Sequence, residues 1–168
     1  MPDLNEAATA EKATNVVRAW RITHHSYRAE AEAFGGFSSA RYPGTWNKRG
    51  ERVVYCSSSI ALCALEILVH LKSPRTLEEV FVTFELTIPS QTIFVAKPPE
   101  NLRDRNQTRE IGHRWIEEAK FAVMQVPSII TGEPNYVLNP LHSDFLKLKI
   151  DPAKAFKFDP RLRKGAQK

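Results

Sequence analysis

One carboxylate stands where an apolar helix has no ordinary use for it. Glu66 sits amid Leu62, Ala64, Leu65, Ile67, Leu68 and Val69, and a buried carboxylate without a partner is costly. Either Glu66 shares a solvent-facing stripe with His70, four residues on, or it turns inward to a partner and a purpose. The chemistry open to an inward carboxylate is electrostatic: it stabilises a positive charge that develops in front of it. Arg21, between Trp20 and Ile22, poses the same question on a strand. Its guanidinium either snorkels to solvent or points into a site that holds anions. Tyr55 ends a β-branched run and offers either core packing or a flat aromatic face. Ser128 follows Val126-Pro127 without a glycine-flanked turn or a histidine nearby in sequence. A hydroxyl that bonds a ligand therefore fits better than a triad nucleophile. The histidines at 24, 25, 70, 113 and 142 lack metal-ligand spacing, so no metal site is expected. No Walker loop is present, and the glycines of 35–44 form no dinucleotide fingerprint.

These residues need a scaffold, and the hydrophobic pattern supplies one. Residues 16–22 read as a strand. The Gly-, Ser-, Pro- and Arg-rich stretch 30–50 reads as a long loop, of the kind that carries function. Val53-Val54-Tyr55-Cys56 is a short strand, Ser57-Ser58-Ser59 offers N-cap hydroxyls, and a helix runs from Ile60 to about Leu71. Strands are predicted over 80–88 and 92–95, and a Pro- and Arg-rich loop over 97–107. Ile111, Trp115, Ala119, Ala122 and Val123 recur at near-helical spacing, which predicts a helix over 108–124 with Gly112 as its weak point. Strands over 126–130, 136–140 and 145–150 complete the pattern. The expected class is α+β, with a split, mainly antiparallel sheet flanked by helices.

With 168 residues and 42% apolar content, the chain is long enough for one core and short for two. Residues 1–15 read as a flexible leader, 16–162 as one globular domain and 163–168 as a basic tail. The first residues lack the basic start and apolar stretch of a secretory signal. The apolar run 60–71 is too short to span a bilayer and contains Glu66. Two cysteines, Cys56 and Cys63, make no disulfide framework, so a reducing cytoplasm is the expected compartment. A net charge of +5 is compatible with an anionic small molecule or with nucleic acid. The cluster Arg103, Arg105, Arg109 and Arg114 beside Trp115 carries the nucleic-acid alternative.

Several segments, taken in order, resemble the RES domain, a family named for its Arg, Glu and Ser residues. They are Trp20-Arg21-Ile22, Thr45-Trp46-Asn47, Val53-Val54-Tyr55, the run from Ala64 to His70, Val126-Pro127-Ser128, and the run from Asn135 to Pro140. The likeness spans residues 20–162. It implies a fold like that of diphtheria-toxin-type ADP-ribosyltransferases, and the activity of a toxin that breaks the nicotinamide–ribose bond of NAD or transfers ADP-ribose to a protein. NAD is then substrate, and no resident cofactor is expected. The implied partners are a helix-turn-helix antitoxin and a second copy of the chain, with no membrane and no direct nucleic-acid contact. Glu66, Arg21 and Tyr55 become the expected catalytic residues, and Ser128, Asn135, Arg41 and Trp46 the expected substrate-binding ones. The family pattern Gly-Arg-Trp-Asn stands here as Gly44-Thr45-Trp46-Asn47, so the missing guanidinium is expected from Arg41 or Arg49.

Overall fold

A computed structural model describes residues 15–71 and 77–162. Residues 1–14 of the expected leader 1–15, and the expected basic tail 163–168, lie outside the described residues. Eight strands form one sheet: β1 (Val16–His24), β2 (Val54–Ser57), β3 (Phe81–Pro89), β4 (Ile93–Val95), β5 (Val123–Pro127), β6 (Pro134–Leu138), β7 (Lys149–Ile150) and β8 (Lys154–Phe156). Among the described residues four α-helices accompany them: α1 (Glu30–Ala33), α2 (Phe37–Arg41), α3 (Ile60–Leu68) and α4 (Arg105–Glu118). The strand order is β4-β5-β6-β2-β1-β3-β7, with β8 also on β3. Among the described residues only β4 and β5 run parallel.

The sheet is split. β1 pairs with β3 along its whole length, from Val16 opposite Pro89 to His24 opposite Phe81. Against β2 it registers at one pair, Trp20 with Ser57. β2 instead zips onto β6, and β6 onto β5. One core cluster takes side chains from both halves, with Ala19, Phe84 and Leu86 on one side and Val54, Val123 and Leu138 on the other, so the sheet curls around it. A second cluster, Trp46, Val53, Trp115, Met124, Val126 and Val137, lies under α4. The strict alternation along β5 and β6 explains this: Val123 and Leu138 face the first cluster, Met124 and Val137 the second.

The α+β expectation with a split, mainly antiparallel sheet holds, and several boundaries move. The helix predicted over 108–124 is α4, starting at Arg105 and closing at Ala119, a left-handed cap with φ 47°. Ala122 is core, and Val123 begins β5. Asp104 caps α4 by accepting from Asn106 and Gln107 backbone N–H, and its second carboxylate oxygen accepts from the Gln107 side-chain amide at 2.7 Å. Gly112 is a point of close approach: a Cβ there would lie 1.7 Å from the Trp46 carbonyl oxygen. Residues 143–147 form a 3-10 turn instead of a strand, leaving only Lys149–Ile150 as β7. The loop 30–50 contains α1 and α2.

Candidate active site

Where β1 and β2 part, backbone groups lose their ladder partners, and a buried carbonyl without a donor is expensive. Arg21 supplies the donor, its Nη1 bonding the Tyr55 carbonyl at 3.0 Å. Its Nε is buried and has no partner among the described residues, and burial pushes the guanidinium's pKa down from its ordinary value. Phe34 lies under the group at 5.9 Å. Arg21 thus neither snorkels nor pairs with a carboxylate: it closes the seam and presents unused N–H groups.

α3 begins at Ser59, whose hydroxyl accepts from Leu62 N–H, and lies over the same seam. Leu62 and Cys63 are its buried residues, and the Cys63 thiol donates to the Trp20 carbonyl at 2.8 Å. Glu66 lies four and three residues beyond them, on the same inward stripe. Leu65 and Val69 take the exposed side. Glu66 Oε1 accepts from Ser128 Oγ at 2.8 Å and from Asn135 Nδ2 at 2.6 Å. Among the described residues no hydrogen bond reaches Oε2. The inward alternative for Glu66 is therefore the observed one.

Ser128 is 2% exposed. Its hydroxyl donates to Glu66 while accepting from Ile130 N–H at 3.1 Å and Thr131 N–H at 3.4 Å. That uses the hydroxyl fully, and it serves to aim the carboxylate. Asn135 sits on β6 opposite Ser57. Because its amide N–H₂ faces the carboxylate, its Oδ1 must point the other way, and that oxygen is buried without a partner among the described residues.

Tyr55 differs from the expectation of a free aromatic platform. Its hydroxyl donates to Asn47 Oδ1 at 2.8 Å and accepts from Trp46 N–H at 3.0 Å, and burial pushes its pKa up, away from ionisation. The ring borders the cavity, yet its polar end anchors the loop 44–47. A Cβ on Gly44 would lie 2.7 Å from that hydroxyl. Trp46, expected to hold substrate, is 3% exposed with its ring packed in the second core cluster. The residue also borders the cavity.

Sequence reasoning missed Asn47 as the hub of that loop. Fully buried, it accepts from Gly44 N–H and Tyr55 and donates to the carbonyls of Ser39, Lys48 and Glu51. It also missed Arg105, whose Nη1 donates to Thr45 Oγ1. The arginine beside Thr45 is therefore Arg105. Arg41 lines the cavity elsewhere and Arg49 is exposed outside it. The capping pair Asp104 and Gln107 was the available signal, since it starts the helix early enough to turn position 105 inward. The basic cluster 103–114 is broken up in the same way. Arg109 bonds the carbonyls of Gly44 at 3.0 Å and Pro43 at 3.3 Å, so these guanidiniums do not form one outward stripe.

Arg21, Tyr55, Glu66, Asn135, Arg41 and Arg105 border a single cavity of about 1,410 Å³, larger than the roughly 300–1,000 Å³ that suits drug-sized ligands. The class of protein defined here is a split α+β sheet with a two-point-anchored carboxylate, and with guanidiniums that make no ion pair among the described residues, around one large cleft. Residues 18–159 match the RES domain, and the chain belongs to that family. Toxin Res of Yersinia enterocolitica is 34% identical over 86% of this chain and 98% of its own length. The Prs ADP-ribosylating toxin of a Sphingobium species is 30% identical over 88% of this chain and 97% of its own. In three dimensions the chain resembles one from the M. tuberculosis MbcT–MbcA toxin-antitoxin complex, with a TM-score of 0.67 at 14% identity, covering 90% of this chain and 89% of that one. Among the described residues no helix is long and apolar enough to cross a membrane.

Proposed function

We propose that this chain is the toxin of a toxin-antitoxin pair and that it breaks the nicotinamide–ribose bond of NAD, as a cytoplasmic enzyme restrained by an antitoxin. The observation that carries the reading is Glu66: one carboxylate oxygen is held by Ser128 and Asn135 while the other has no bond in a cavity rimmed by guanidiniums. Nicotinamide leaves with the electron pair of the C1′–N1 bond, which neutralises its ring and moves positive charge onto the ribose. A carboxylate held in place before that charge appears stabilises it without reorganisation. Arg21 offers its unused N–H groups to a phosphate or the carboxamide. The orphan Oδ1 of Asn135 accepts from a ribose hydroxyl or an amide N–H. Water or inorganic phosphate then adds at C1′ and gives up its proton.

The same site serves a second reading, transfer of ADP-ribose to a protein, which the name of the Sphingobium relative favours. Products separate the two. Purified protein incubated with NAD should release nicotinamide with free ADP-ribose, or with its phosphate when phosphate is present. Label confined to a protein band would replace hydrolysis with transfer, and an unchanged NAD pool would refute both. In cells, induction alone should stop growth and lower NAD, and co-expression of the neighbouring antitoxin gene should restore both.

A further inference from the structure

α4 turns four positions toward the loop 44–47: 105, 108, 112 and 115, spaced as one face of a helix. Thr108, Gly112 and Trp115 on this stripe are buried. The first member, Arg105, is half-buried where the stripe reaches the cavity. A guanidinium on the inward face of a helix ordinarily meets a carboxylate. Arg105 meets the neutral hydroxyl of Thr45, which engages one of its five N–H groups.

Holding the loop does not account for it. Thr108 Oγ1 already donates to the Thr45 carbonyl at 2.6 Å, and Arg109 holds the carbonyls of Gly44 and Pro43. Helix energetics do not call for a cation either, since the first turn of a helix favours acids. The charge pattern points the same way. Arg41, Arg103 and Arg105 border the cavity, and none of them makes an ion pair with a described residue. Arg103 and Arg105, two residues apart at the start of α4, put two positive groups without an ion pair among the described residues at that border of the cavity, which suits an anion, and planar forks suit phosphate oxygens.

We propose that Arg105, propped by Thr45 and assisted by Arg103, forms a diphosphate subsite at the α4 end of the cavity, separate from Arg21 at the strand seam. In this chain the guanidinium absent from position 45 is supplied across the loop by α4. The proposal rests on the NAD reading only for the identity of its ligand, a dinucleotide pyrophosphate.

The probes are inorganic pyrophosphate, NAD and nicotinamide riboside, which lacks phosphate. Titrated into the full chain, with Glu66→Gln as the non-turning background for NAD, pyrophosphate and NAD should bind at least tenfold more weakly to Arg105→Ala. Nicotinamide riboside should bind equally to both. Arg105→Lys keeps charge but not the fork, and should recover less than half of the loss in binding free energy. Thr45→Arg placed on Arg105→Ala should restore pyrophosphate binding, a rescue that a merely structural role would not give. Thermal midpoints identify any variant that fails to fold, and Arg105→Gln then takes the place of the alanine variant. Failure of the parent to bind pyrophosphate, or parental affinity in both Arg105→Ala and Arg105→Gln, overturns the proposal. Pyrophosphate binding that depends on Arg105, without NAD cleavage, would sink the NAD reading alone. NAD cleavage with an unchanged KM in Arg105→Ala would sink the subsite alone.

Discussion

Replacing Glu66 with glutamine tests the proposed chemistry at its centre, because it removes charge and leaves shape. The side-chain carbonyl of the new amide can still accept from Ser128 and Asn135, which now hold Oε1 at 2.8 and 2.6 Å. What disappears is a negative charge beside the ribose. A full charge about 4 Å from a developing cation, at an effective dielectric near 20, is worth about 4 kcal/mol. If half the charge develops in the transition state the loss is about 2 kcal/mol, roughly thirtyfold in rate. Removal of a preorganised charge-stabilising group costs on the order of a hundred- to a thousandfold in comparable sites. Turnover should therefore fall by roughly a hundredfold while NAD still binds. On the stability side, two charge-assisted bonds become neutral ones, and this loss is offset because no half-buried charge remains to be held. The midpoint should move by no more than a few degrees. The assay is single-turnover nicotinamide release with calorimetric NAD binding on the same preparation. Near-parental release from a folded variant would refute the assignment of Glu66.

Other parts of the site give further tests. Ser128→Ala takes one donor from Glu66 and strands the N–H groups of Ile130 and Thr131; it should cost about 1–2 kcal/mol in denaturant unfolding and roughly tenfold in turnover, and Ser128→Thr should recover part of both. Gly112→Ala drives a methyl into the Trp46 carbonyl and should destabilise by about 3 kcal/mol or more, whereas a glycine that merely weakened the helix would yield a gain. Tyr55→Phe leaves Trp46 N–H unpaired and Asn47 Oδ1 with one donor fewer, a loss of about 1–3 kcal/mol. The native pKa of Tyr55 is raised by burial above its ordinary value, so the unfolded chain loses this proton first. Stability should then fall as pH rises past about 10, and the phenylalanine variant should show a shallower alkaline slope in unfolding titrations.

Local chemistry in the sequence determined a good deal. The alternation in 16–22 and 80–88, the serine cap before α3 and the turn before β6 are set by neighbouring residues, and the strands and α3 lie where these signals place them. Glu66 was conspicuous for the same reason, since an acid in an apolar helix violates a local rule. The sequence left open which face of α3 turned inward, because period alone does not say what lies opposite. Leu62 and Cys63 settle that by packing at the seam, and Glu66 follows on their stripe. The roles of Ser128 and Asn135 depend on β5 and β6 arriving opposite α3, contacts 62 and 69 residues apart in the chain. Tyr55 offers a flat face in sequence, and in the fold its hydroxyl also anchors the loop, because Asn47 and the Trp46 N–H claim its polar end. Arg105 meets Thr45 across 60 residues, a pairing set by how α4 docks on the loop. Sequence therefore marks the residues that are costly to bury, and tertiary structure decides which partners meet that cost and which bonds remain for a ligand.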